Sequence, residues 1–246
     1  TETNSGGGAP SAIRQVSGTI QLHTLGSGTA DAVFDSERMR IANDGKLLVG
    51  HTAAYGSAIA QVHNTSQYVL DLNLWDSSTD PAVLAFYKSR NDTPGSATIV
   101  QDDDGIGSLR FLGNDGANSR EAAYIKTFVD GTPGTNDMPG RLVFGTTVDG
   151  GSSSTERLRI DKTGSFIFSN GAFVEKVNIT AGKLSDNATI DLADGMVHYF
   201  TTQETTTSTP NIRVNSAVSL NDVMTAGDVI TVTLITTAAA GGYSAD

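Results

Sequence analysis

Glu37-Arg38-Met39-Arg40-Ile41-Ala42-Asn43-Asp44-Gly45-Lys46-Leu47-Leu48-Val49-Gly50 returns, 119 positions on, as Glu156-Arg157-Leu158-Arg159-Ile160-Asp161-Lys162-Thr163-Gly164-Ser165-Phe166-Ile167-Phe168-Ser169. Each copy reads as a β-hairpin. Met39 and Ile41, like Leu158 and Ile160, alternate with arginines at period two, so one strand face is apolar and the other carries guanidinium groups. A polar turn then reaches Gly45 or Gly164, where positive φ costs nothing, and a second short apolar run follows. A chain that reuses such a unit is modular and β-rich, a pattern of fibres more than of enzymes.

Composition points the same way. The 246 residues leave room for one large or two to three small domains. A hydrophobic fraction of 38% with 27 glycines implies short strands and frequent turns. No apolar run reaches the 18 or so residues of a membrane span, and Thr1-Glu2-Thr3-Asn4-Ser5-Gly6-Gly7-Gly8 has neither the basic nor the apolar part of a secretion signal. Membrane insertion is not expected. The opening without Met leaves a processed product and a fragment both open. With no cysteine there are no disulfides, no thiol catalysis and no thiolate metal site. A net charge of −11 and a pI near 4.6 argue against nucleic acid as a partner. Arg38, Arg40, Lys46, Arg141, Arg157, Arg159 and Lys162 lie in or beside the two repeats, so basic charge is local, and ion pairs within or between chains are its simpler use.

Along the chain, residues 1–12 read as a flexible Gly-rich arm, 13–56 as the first hairpin module, 57–171 as a β-rich middle domain ending in the second repeat, and 172–246 as a Thr/Val-rich β-domain. Strands are expected at Thr19 to Thr24, at Tyr68 to Trp75 with Leu70, Leu72 and Leu74 on one face, and at Ala82 to Lys88 beyond a Ser77-to-Pro81 turn. Others are expected at 97–100, 108–112, 122–129, 141–144, 189–192, 196–202, 211–214 and 229–235, with a short helix near 118–125 as an alternative. The Thr-rich run 201–209 is better read as a strand and loop than as a glycosylated stalk. The fold class is therefore all-β: modular, short-stranded, β-sandwich or β-prism-like domains.

Candidate chemistry is sparse. Asp102-Asp103-Asp104-Gly105 resembles a calcium-binding carboxylate cluster but lacks the spaced ligands of an EF-hand, and a solvated acidic turn is the simpler reading. His23, His51, His63 and His198 show no spacing that aims two imidazoles at a metal. No glycine run has phosphate-loop spacing. No catalytic residue, metal site or cofactor is assigned. Trp75 and Tyr87, with Tyr55 and Tyr68, are candidates for stacking on sugar rings. For Trp75, packing in the core or between subunits is the stronger reading, because it ends a Leu-alternating run.

The repeat phrase, Glu-Arg-Met/Leu-Arg-Ile-x-x-x-Gly before a short apolar strand, resembles segments of tail-fibre and other virion-associated proteins of tailed bacteriophages, cyanophages especially. Gly140-Arg141-Leu142-Val143-Phe144-Gly145-Thr146-Thr147 with Asp149-Gly150 ahead of the second copy, Gly195 to Thr202, and Asp228 to Leu234 extend the resemblance over roughly residues 34 to 240. It implies a structural tail-fibre component on the virion, exposed to the medium, that positions or forms part of a receptor-binding module and touches other tail proteins and bacterial surface glycan. The chain ends at Gly241 to Asp246 in what reads as mid-domain, with a distal tip expected beyond. A thin β-fibre buries too little apolar surface in one chain, so a homotrimer is expected. In it the faces of Met39, Ile41, Leu47 and Val49 and of Leu158, Ile160, Phe166 and Phe168 pack between chains or against the next domain, while Arg38, Arg40, Arg157 and Arg159 pair with acidic side chains, some of them across subunits. A capsid or neck decoration protein and a glycan-depolymerising tailspike are the alternatives.

Overall fold

The structure, a computed structural model, describes residues 11–24 and 36–237. Most of the Gly-rich arm, the residues just before the first repeat and the end of the C-terminal segment lie outside the described residues. Those described form an all-β chain of fifteen strands with two single-turn 3₁₀ helices, Leu192–Asp194 and Leu220–Asp222. The chain divides into two units, one ending at Ala85 and the other beginning at Phe86.

The first unit holds one five-stranded sheet, ordered β1 (Ser11–Val16), β2 (Thr19–Thr24), β3 (Ser36–Ile41), β4 (Leu47–Val49), β5 (Ala60–Val62). The first four strands run antiparallel and β5 joins parallel to β4, returning across residues 50–59. Leu48, 1% exposed, is the buried anchor of this unit, with His23. It pairs with Arg40 across β3 and β4, so the strand face that carries the arginine is here the covered one.

Beyond β5 the expectation fails. Residues 68–75 and 82–88 form no strand, and Leu70 is 69% exposed. The alternation is present in the sequence, but a strand is defined by its ladder, and no described strand pairs with either stretch. Trp75 ends this run with no core to enter, which corrects its reading as an intrachain core residue.

The second unit begins with an antiparallel meander: β6 (Gly105–Asn114), β7 (Ser119–Val129), β8 (Gly140–Thr146), β9 (Thr155–Ile160) and β10 (Phe166–Phe168), in that spatial order. Direct connections across residues 115–118, 130–139, 147–154 and 161–165 join consecutive strands with no crossover, the arrangement antiparallel pairing allows. Val100, Val129 and Val143 are its buried anchors. The alternative helix at 118–125 is absent because the stretch lies inside β7, laddered on both sides. Residues 97–100 are irregular, held by local bonds such as Arg90 N donating to Thr98 O at 3.2 Å.

The remaining strands coil. β11 (Val177–Thr180), β13 (Val197–Gln203) and β15 (Thr233–Thr237) form one parallel sheet, while β12 (Thr189–Asp191) and β14 (Asn211–Arg213) form another. The chain alternates between the sheets, so each strand stacks on the one two before it. Leu184, Ile190 and Phe200 fill the interior, with Ile212, Val232 and Leu234 against them. The expected strand at 229–235 starts only at Thr233, because Asp228 accepts from Thr225 N and Oγ1 and closes a turn there.

Candidate functional site

The two copies of the repeat fold alike, residue for residue. In the first, Met39, Arg40 and Ile41 face Val49, Leu48 and Leu47; in the second, Leu158, Arg159 and Ile160 face Phe168, Ile167 and Phe166. Arg40 forks onto both carboxylate oxygens of Glu37, with Nη2 to Oε2 at 2.5 Å. Arg159 forks onto Glu156 at 2.6 and 2.8 Å. Such bidentate pairs are stronger than neutral bonds and orient both side chains. They hold the Glu37 and Glu156 carboxyls below the ordinary range against the opposing effect of burial. Gly45 and Gly164 close the turns at φ 83° and 82°, and Gly50 N and Ser169 N donate to Arg38 O and Arg157 O at 2.9 and 3.0 Å.

Within one chain, where Arg40 and Arg159 meet carboxylates, Arg38 and Arg157 meet hydroxyls. Their Nε atoms donate to hydroxyls on the neighbouring strand, Thr24 at 2.8 Å and Thr146 at 3.0 Å, because a threonine and not a carboxylate stands beside each. Within one chain Ile41, Phe166 and Phe168 stay exposed, and Phe166 is 66% so. The copies also differ at the outer edge. β5 covers β4, whereas no described strand covers β10.

The Asp102 to Asp104 run is occupied by protein groups. Asp102 Oδ1 accepts from Gly131 N at 2.6 Å, Asp103 Oδ1 from Arg141 Nη2 at 2.7 Å, and Asp104 from Arg90 Nε and Nη2 at 2.6 and 2.7 Å. Arg141 also reaches Asp130 at 3.1 Å and stacks over the Phe128 ring at 4.9 Å. The Arg90 guanidinium, with the Gln101 amide, holds the Asp104 carboxyl far below its ordinary value. These carboxylates tie loop 101–104 to the meander sheet. Among the described residues no group of three or more metal-ligating side chains forms.

Trp75 is 92% exposed and Tyr87 83%. Near Trp75 the two failed strands leave an open cleft of ≈ 600 Å³ lined by residues including Leu72, Leu74, Val83 and Leu84. The lining is largely apolar, and Trp75 and Tyr87 lie close to it in sequence. No described helix is long and apolar enough to cross a membrane.

Three features escaped sequence reading. His51 and His63 come together, with ring centroids 5.4 Å apart at 72°. The parallel pairing of β4 with β5 does this, and no spacing motif signals it. Glu204, 4% exposed, accepts from Leu184 N at 2.6 Å and clamps the turn into the coil. Tyr124 lies across Gly145, its partner on β8, so closely that any Cβ there would meet the ring at 2.3 Å. The glycine beside an aromatic was legible; the pairing was not.

No protein-family model and no curated protein matches the chain. Among solved structures, the carboxy-terminal domain of the bacteriophage T5 L-shaped tail fibre aligns with a TM-score of 0.48 at 12% identity, over 68% of this chain and 80% of that one. The same domain with its intramolecular chaperone domain aligns with a TM-score of 0.47 at 12% identity, over 68% of this chain and 56% of that one.

Proposed function

We propose that this chain is a structural segment of a phage tail fibre that works as a homotrimer and helps position, or forms part of, a receptor-binding module on the virion tail. The observation that carries the proposal is the apolar alternation of residues 70–75 and 82–86, which joins no described strand and leaves Leu70, Leu72, Leu74, Val83 and Leu84 about half exposed or more. Burying a leucine or phenylalanine is worth about 1.5–3 kcal/mol. The parts of Leu70, Leu72, Leu74, Val83 and Leu84 that stay in water therefore forgo several kcal/mol, a sizeable share of a whole domain's net stability of about 5–15 kcal/mol. Neighbouring copies that supply ladders and faces recover it, and free strand edges are the templates on which such pairing occurs. The resemblance of the repeat phrase to phage tail proteins supplies the biological setting. Trp75 and Tyr87 are the proposed contacts to bacterial surface glycan.

Light scattering coupled to size exclusion tests the core of this reading. A mass near three times 25.6 kDa is expected. A folded monomer with the same strand content would end it.

A further inference from the structure

The geometry points to a binding site for a borderline divalent transition-metal ion, of the zinc or copper kind, between His51 and His63. Neither residue lies in a recognisable motif; the fold creates the pair. β4 and β5 run parallel, and the ladder continues past β5 through His63 N donating to Val49 O at 2.9 Å. Gly50, at φ 79°, lets the backbones meet: a Cβ there would sit 2.0 Å from His63 O. The residue after Gly50 and the residue after Val62 are thereby set side by side, and both are histidines.

The His51 ring is oriented as a metal ligand would be. His51 Nδ1 lies 2.7 Å from Ala53 O. A carbonyl only accepts, so Nδ1 carries the proton, and in the neutral ring Nε2 presents its lone pair. That Nε2 is buried and has no hydrogen-bond partner. An imidazole whose far nitrogen is tied to a backbone carbonyl is the usual orienting arrangement behind a metal-bound histidine. With a metal–nitrogen bond of about 2.0–2.1 Å, each ring centre sits about 3.2 Å from the ion. Two such arms with ring centres 5.4 Å apart, each aiming a nitrogen at one ion, subtend roughly 115°, near the tetrahedral angle favoured by zinc. The rings border a cleft of ≈ 410 Å³ with Tyr55, Gln61 and Val62. Gln61 is already spent, its Oε1 accepting from Tyr55 N at 2.9 Å and its Nε2 donating to Ala58 O at 3.0 Å. The chain thus offers two imidazole ligands and leaves the other positions to water. The competing reading is a bare edge-to-face ring contact, which has no use for an orphaned Nε2 and gives no metal selectivity for this pair.

Isothermal titration of the full chain with zinc chloride is expected to show saturable binding with a Kd on the order of tens of micromolar, as two of the four ligands of a structural site would give. His51→Ala and His63→Ala should each weaken it at least tenfold. Electron paramagnetic resonance of the wild-type chain with one equivalent of copper(II) should count two imidazole nitrogens, and this readout does not depend on the variants folding. His51→Phe, which keeps a ring in the cleft, should leave one nitrogen and an unchanged circular dichroism spectrum. Equal zinc affinity in wild type and a His51→Ala/His63→Ala double variant would overturn the site. So would a copper spectrum without paired imidazoles.

Discussion

At Gly145 what matters is the Tyr124 ring on the neighbouring strand. The ring occupies the volume a side chain would need, an arrangement by which an aromatic covers the backbone a strand glycine exposes. Gly145→Ala should therefore act by overpacking and lower stability by about 1–3 kcal/mol, read as a fall in melting temperature. The double variant with Tyr124→Ala should recover part of that loss, because the clash is then gone. Additive losses would show that the two residues do not meet. Glu204 works by the opposite logic, as an acceptor that must be present. Its removal in Glu204→Ala leaves the Leu184 amide without a partner inside the coil, at a cost of about 1–3 kcal/mol in denaturant titration. Glu204→Gln keeps an acceptor and should cost less. Neither role was visible in the residue string, since each depends on a partner about 20 positions away.

At the scale of elements, the repeat hairpins are the part of the molecule most legible from sequence. Alternation, a turn glycine at φ near 82° and a glutamate three positions before an arginine are local properties, and the same registers appear in both copies. The ion pairs give the hairpins a pH dependence with a definite sign. The Glu37 and Glu156 carboxyls, through Arg40 and Arg159, and that of Asp130, chiefly through the Lys162 amide, have folded pKa values below their ordinary ones. Asp115, accepting from the Asn118 and Ala117 amides and then Arg120, is held down to about 2. Groups of this kind contribute stability that is fully present above the unfolded-state pKa and lost as pH falls through the folded value. Melting temperature should accordingly be level near neutrality and fall from about pH 4 downward. Glu156→Gln should lower it at pH 7 by an amount worth on the order of 1 kcal/mol and flatten the acid limb. A wild-type profile that stays level to pH 2 would remove the carboxylates as a source of stability. The strands at 68–75 and 82–88 carry alternation as clear as that of the repeats and still fail to form, because periodicity states which face is apolar and says nothing of a partner.

For the whole molecule, the decisive test separates folding from assembly. Ile160 lies between Leu142 and Phe166 in the meander sheet, so Ile160→Asp should damage the sheet as well as any trimer. Leu72 belongs to no buried cluster of the described chain and is more than half exposed. Leu72→Asp should therefore leave the circular dichroism and melting of the single chain intact while lowering the mass by light scattering toward 25.6 kDa. An unchanged trimer mass would take residues 70–86 out of the interface. The sequence by itself determined the all-β class and the repeated hairpin with its turn glycine, since these follow from composition and from neighbours within a few positions. Only the tertiary structure decided that the C-terminal strands run parallel, that Leu48 is buried behind the arginine face, that the triple-aspartate run is consumed by arginines and an amide, and that His51 meets His63. Those outcomes are pairings between distant residues, and which distant backbone completes a ladder is settled by the free energy of the whole chain.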